Sequence, residues 1–357
     1  MNEVKMDISP YLKLMVEKGA SDLFFTVGTP VKIKIEGKAT SVGKTELTGE
    51  MSKAAAYGIM NEQHIHHFEE TLECDFAMAM PDGSARFRVN VFRQRGEVGM
   101  VLRQIPAKIP TTEQLGVPDI LKEMIEHKRG LILMVGGTGS GKSTTLAAMI
   151  NHRNQNMTGH ILTIEDPVEF SHPNLKSILN QREVGVDTLS YRNALKASLR
   201  EAPDVILIGE IRDRETMEAA LELSNTGHLA ISTMHANNAN QAMERVINLF
   251  PTESHKQLFM DLSLNIRAVI SQRLVLGVDG KRCAAIEIMI NTPHIAELIL
   301  KGDLDEVKVA MEESGQRGMQ TFDMALFNLY KEERIVLEEA LNNADSRTNL
   351  EAKINFG

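Results

Sequence analysis

Apolar residues along this chain recur in two periods, and the change from one to the other outlines the fold. Residues 9–18 carry a helical stripe that Gly19 stops. Residues 22–27 and 31–35 read as short strands, and residues 51–70 read as helical. Residues 76–80, a turn at Pro81-Asp82-Gly83 and residues 86–92 predict a hairpin. Phe87, Val89 and Val91 share one face of its second strand; Arg86, Arg88 and Asn90 share the other. A further strand at 98–104 carries Arg103. Pro106, Pro110 and Pro118 then mark 105–119 as a linker. Beyond it, apolar strands at 130–136, 160–164, 204–208 and 228–233 alternate with helical stretches. That rhythm predicts a mostly parallel sheet with helices on both faces. From about 285 the pattern turns mostly helical. The reading is an α/β chain with an α+β domain over 1–104 and a second domain over 120–357.

The strand at 130–136 runs into Gly136-Gly137-Thr138-Gly139-Ser140-Gly141-Lys142-Ser143-Thr144, which fits the phosphate-loop pattern. Glycines let the backbone curl so that successive N–H groups face phosphate oxygens, and the following helix adds its positive end. Residues 137–144 are therefore the expected nucleotide-binding set. Lys142 is expected at the β and γ phosphates, and the Ser143 hydroxyl in the shell of a Mg²⁺ ion. Strand, loop and helix in that order set this run apart from an ordinary glycine turn.

Two further strands end in acids. Residues 161–164 lead to Glu165-Asp166-Pro167-Val168-Glu169. Acids after a strand are ordinarily a solvated loop. Behind a phosphate loop, Glu165 and Asp166 are expected to order Mg²⁺ and its waters. Residues 204–208 lead to Gly209-Glu210, as in a Walker B strand, except that glycine stands where the usual aspartate would be. Asp204 cannot replace it, because six strand residues place it roughly 20 Å away at ~3.3 Å each. Glu210 is the expected water-orienting carboxylate. His235 follows the strand at 228–233 on the same side and is expected to sense the γ-phosphate; His228, at the strand's start, is the weaker choice. His64, His66 and His67 have no partner set to complete a metal site and read as a solvated helix face.

Composition narrows the class. The chain has 357 residues, 43% hydrophobic and 24% charged, which is ordinary for a globular protein with more than one core. A net charge of −9 offers nucleic acid no general attraction. No apolar run approaches the ~20 residues of a membrane span. Cys74 and Cys283 are too few for a disulfide framework or a cysteine zinc site, which points to a reduced, cytoplasmic chain. Sparse aromatics leave the 20 methionines as core filler.

Taken together, these motifs resemble the secretion and type IV pilus ATPase superfamily, and within it the PilT/PilU twitching-motility branch. The resemblance runs nearly end to end. It rests on Lys18-Gly-Ala-Ser-Asp22, Arg86-Phe-Arg-Val-Asn90, the phosphate loop, both acidic boxes, 226–238, Asn291-Thr-Pro293 and Gly318-Met-Gln-Thr-Phe-Asp323. The closing Asn343-Ala-Asp-Ser346, and the absence of an Ala-Ile-Arg motif after Pro293, lean toward the PilU type. The resemblance implies a PAS-like N-terminal domain, a RecA-like ATPase domain and a homo-hexameric ring. It implies that Arg88 and Arg103 reach the γ-phosphate of bound ATP. It also implies work on an inner-membrane pilus platform protein, from the cytoplasmic side and without insertion, beside a second retraction ATPase. Assembly-type and secretion-type relatives usually carry a four-cysteine zinc module, which two lone cysteines do not supply. Two alternatives stay open: a nucleotide-binding ring subunit that scaffolds a partner motor, and a phosphate-loop kinase, for which no acceptor site is visible.

Overall fold

The computed structural model describes residues 6–35, 37–80, 82–83, 85–105 and 108–356. The chain forms two compact units, the first up to Lys108 with the short segment Glu169–Ser171, the second from Ile109 with that segment excepted.

The first unit is built on six strands: β1 (Asp22–Phe25), β2 (Lys32–Ile35), β3 (Lys38–Ser41), β4 (Glu73–Ala79), β5 (Arg86–Gln94) and β6 (Glu97–Ile105). They form one antiparallel sheet in the order β3-β2-β1-β6-β5-β4. Phe87, Val89 and Val91 are fully buried, as the strand period requires, against Phe25, Met100 and Leu102. Three helices cover this face: α1 (Ser9–Glu17), α2 (Gly49–Tyr57) and α3 (Glu62–Thr71). The stretch expected to be helical over 51–70 holds two helices, α2 and α3. Gly58 ends α2, and the Asn61 side chain accepts from His64 N–H at 2.8 Å to start α3. Ser52 anchors α2 to the sheet by donating to the Val98 carbonyl.

The second unit contains α4 (Thr112–Leu115), α5 (Ile120–Ile125), β7 (Gly130–Val135), α6 (Lys142–Asn156), β8 (Gly159–Glu165), β9 (Ser177–Glu183), α7 (Tyr191–Ser198), β10 (Val205–Ile208), α8 (Arg214–Asn225), β11 (Leu229–Met234), α9 (Ala239–Asn248), α10 (His255–Asn265), β12 (Ile266–Leu276), β13 (Arg282–Ile290), α11 (Pro293–Lys301), α12 (Asp305–Glu313), α13 (Phe322–Lys331), α14 (Leu337–Asn343) and α15 (Arg347–Phe356). The sheet order is β13-β12-β7-β11-β10-β8-β9, parallel except for the β13 edge. The four expected strands are present, and they are neighbours. Helix α4 lies within the stretch expected as linker, held by a capping box between Thr111 and Gln114.

Strands β9, β12 and β13 were not expected, and the helical region begins at Pro293 rather than about 285. For β12 and β13 the physical reason is burial. Residues 285–289 are buried on both faces, the charged Glu287 included, so no alternation of apolar and polar positions marks the strand. In β7 the same double burial sends Leu131, Leu133 and Val135 into one core and Ile132 and Met134 into the other. Helices α13 to α15 pack a third cluster, around Phe322 and Leu326, against Val275 and Ala285. Among the described residues no helix is long and apolar enough to cross a membrane.

Candidate functional site

Strand β7 ends at Val135, and the loop curls before α6 begins at Lys142. Two of its glycines are needed there. Gly136 has φ +152°, and a Cβ would lie 2.6 Å from the Gln272 carbonyl. Gly141 has φ +86°, and a Cβ would lie 2.7 Å from the Gln272 side-chain nitrogen. Gly141 brings no capping side chain, so the first amides of α6 remain for a ligand. The half-buried Lys142 donates to the Gly136 carbonyl at 2.7 Å and to that of Gly137 at 2.9 Å. Burial lowers its pKa, while the negative charge of Glu210 opposes that shift. Ser143 is exposed on the first turn of α6, beside Thr144.

The carboxyl ends of β8, β10 and β11 bring in the other expected groups. Glu165 accepts from the Thr163 hydroxyl at 2.6 Å and from the Gln181 amide at 3.2 Å, the latter on the unexpected β9. Asp166 follows, exposed. Glu210 is 16% exposed and holds two partners: Arg212 Nε at 2.7 Å on Oε2, and His235 Nε2 at 3.3 Å on Oε1. The Glu210 hydrogen bond and charge raise the pKa of Arg212. Thr233 donates to the Gly209 carbonyl at 2.6 Å, which ties β11 to the start of this turn.

The glycine that departs from the Walker B pattern has a packing reason. A Cβ at Gly209 would lie 2.5 Å from the Tyr191 hydroxyl and 3.2 Å from the backbone of β8 at Glu165 and Ile164. An aspartate there would have to displace the Tyr191 side chain and press on the backbone of β8. Tyr191 keeps its proton firmly, because burial raises its pKa and nearby Asp166 adds to the effect. Asp204 sits at the far end, accepting from His160 N–H at 2.8 Å. His228 also stays at the amino end, its Nδ1 within 3.1 Å of Thr226 Oγ1 and the Leu223 carbonyl.

In the first unit, Arg88 and Arg103 are direct cross-strand partners on β5 and β6. Like charges opposed this way repel. Arg103 Nε is held at 2.8 Å by Asp22, whose side chain is 6% exposed and which pairs with Arg103 across β1 and β6. Asp22 also accepts from Ser21 at 2.8 Å. The motif at 18–22 thus ends on the carboxylate that orients Arg103.

The histidine face is a partial correction. His66 and His67 are exposed, but His64 stacks on Phe76 at 4.5 Å with Nδ1 buried. Among the described residues no group of three or more His, Cys, Asp or Glu side chains could hold a metal ion. Both cysteines are free thiols, one in each unit.

The pattern reading also missed residues that arrange the site. Gln181, Arg212 and Thr233 hold the acids and their turns. Arg273 on β12 donates to the carbonyl of Asn237, just past His235. Glu287 on β13 accepts from Ala239 N–H, at the start of α9, at 2.7 Å. Arg212 stands two positions from Glu210 and was visible in principle; the others come from strands or contacts with no local signature.

A glycine loop between a parallel strand and a helix, with carboxylates at the ends of neighbouring strands, defines a phosphate-loop nucleotide hydrolase. The chain belongs to the type II/IV secretion system protein family, whose model matches residues 2–342, and it is an ATPase. The type IV pilus ATPase PilU of Pseudomonas aeruginosa is 52% identical over 353 residues, covering 99% of this chain and 92% of that protein. The pilus retraction ATPase PilT of the same organism is 44% identical, covering 95% and 98%. The crystal structure of the pilus retraction motor PilT with bound ADP superposes with a TM-score of 0.91 at 42% identity, covering 97% of this chain and 99% of that one. The higher identity to PilU agrees with the lean of the closing motif.

Proposed function

We propose that this chain is a hexameric ATPase motor that converts ATP hydrolysis into the domain movement powering type IV pilus retraction. The observation that carries this reading is topological. The phosphate loop, Glu165, Glu210 and His235 stand at the carboxyl ends of β7, β8, β10 and β11, four adjacent parallel strands, so all four segments lie at one edge of the sheet.

Residues 137–144 wrap the phosphates with backbone N–H groups, and Lys142 turns from the Gly136 and Gly137 carbonyls to the β and γ oxygens. The exposed Ser143 hydroxyl, with Glu165 and Asp166 acting through water, is an all-oxygen donor set that fits Mg²⁺. Bound there, Mg²⁺ would neutralise phosphate charge. Glu210 orients the attacking water, and His235 reports the γ-phosphate to β11 and the turn after it. Arg88 and Arg103 supply guanidinium charge to the transition state. The ring acts on an inner-membrane pilus platform protein from the cytoplasmic side, beside a second retraction ATPase.

The test is the specific ATPase rate against protein concentration, with Lys142→Ala as the blank. A rate per protomer that rises with concentration is expected for sites completed by assembly. A flat rate at the level of the blank overturns the motor reading and favours a ring scaffold. In a piliated strain lacking this chain, the wild-type gene is expected to restore twitching and Lys142→Ala to leave it absent.

A further inference from the structure

Strand β12 outruns β7. Its Ser271 pairs with Val135, the last residue of β7, and the next residue, Gln272, lies alongside the phosphate loop. Gln272 is 2% exposed and both ends of its amide are used. Its Nε2 donates to the Ser140 carbonyl at 2.9 Å, and its Oε1 accepts from the Thr145 hydroxyl at 2.8 Å. Ser140 is in the loop; Thr145, 1% exposed, is in the first turn of α6. One side chain therefore bridges the two parts of the motif from beneath. The same residue sets the two tight glycines, since added Cβ atoms at Gly136 and Gly141 would run into its carbonyl and its amide.

We infer that Gln272 is a positioning residue for ATP hydrolysis, fixing the curl of the phosphate loop relative to the start of α6. The inference rests on the reading of residues 137–144 as the nucleotide site. The chemistry asks for an amide of this length. Leucine fills the space but leaves a buried carbonyl and a buried hydroxyl without partners. Glutamate keeps an acceptor, loses the donor to Ser140, and buries a negative charge where phosphates must bind. Asparagine is too short to bridge both. Loop amides that shift no longer converge on the phosphates, and a misplacement of about 1 Å costs up to about a hundredfold in rate.

The experiment measures ADP affinity, kcat and KM for ATP, and melting temperature. The variants are Gln272→Leu, Thr145→Val, their double mutant and Lys142→Ala. Gln272→Leu is expected to weaken ADP binding and lower kcat/KM by about tenfold or more. These losses are read well below its melting temperature. Because Thr145 acts through the same bridge, the double mutant is expected to be no worse than the poorer single. A lower melting temperature with wild-type ADP affinity and kinetics means mere packing and overturns the inference. Losses that add in the double mutant overturn it as well. If Gln272→Leu does not fold, Thr145→Val decides alone: a severalfold loss of ADP affinity supports the bridge, and wild-type affinity refutes it. Lys142→Ala separates the two levels. Unchanged ADP binding there sinks the site itself; loss there, with Gln272→Leu unaffected, sinks only the role of Gln272.

Discussion

The Nε2 of His235 lies 3.3 Å from Oε1 of Glu210, joining the turns after β11 and β10. Arg212 takes the other carboxylate oxygen at 2.7 Å. A carboxylate held between two partners is fixed in orientation, which is what positioning a water molecule needs. Glu210→Gln keeps the shape and removes the charge. It is expected to bind ATP about as tightly as the wild type and to lose turnover by about a hundredfold or more. Steady-state kinetics beside direct binding check this; equal loss of both would make Glu210 a structural anchor.

Arg103 is 69% exposed and its guanidinium is aimed by Asp22. Arg103→Ala is expected to retain ADP binding and to lose hydrolysis by about a thousandfold, the range of an inserted arginine. Arg103→Lys recovers little, because a point charge does not reproduce the fork. Loss of binding with an intact turnover number would instead make Arg103 a docking residue.

Asp22 gives a pH signature. Burial pushes its carboxyl up, but hydrogen bonds from Arg103 and Ser21, with the charges of Arg103 and Lys34, outweigh burial and leave the pKa lowered. A lowered carboxylate pKa stabilises the fold above the unfolded value of about 3.9, and that contribution is lost as pH falls through the lower folded value. Thermal melts of wild type and Asp22→Asn are expected to differ fully at pH 7 and to converge in acid below about 4. A gap that stays constant with pH would assign the effect to packing.

Arg273 spans three partners: the Asn343 carbonyl at 2.8 Å, the Asn237 carbonyl at 3.2 Å and Asp345 at 2.7 Å. Its guanidinium also lies 3.9 Å from the centre of the Phe322 ring. It therefore binds the turn after His235 to the C-terminal helices. Arg273→Met keeps the stem and is expected to cost about 1–3 kcal/mol, a drop of several degrees in melting temperature. Lys308→Met, which removes a looser 3.3 Å partner of Asp345, is expected to be nearly neutral. Equal losses in calorimetry would mean that charge near Asp345 matters and the geometry of Arg273 does not.

Much of the site was legible because its signals are local. The phosphate loop lies within nine consecutive residues, and strand, glycine and helix each leave a mark. Glu165, Glu210 and His235 could be named because each follows its own apolar strand. Gly209 was visible as a departure, but the hydroxyl that crowds it, that of Tyr191, belongs to α7. The hairpin strand β13 was hidden by burial on both faces, and β9, a polar edge strand, by the lack of any apolar face. With β12 and β13 unread, Gln272, Arg273 and Glu287 had no place from which to act.

The sequence by itself determined the class of chemistry, since the loop, its lysine and the strand-end acids are set by neighbours along the chain. Tertiary structure alone decided which groups meet: Asp22 with Arg103 across 81 positions, Thr145 with Gln272 across 127, Ser140 with Gln272 across 132. Those pairings follow from strand order and register. Order and register are fixed by burying whole sheet faces at once, and no window of neighbouring residues encodes them.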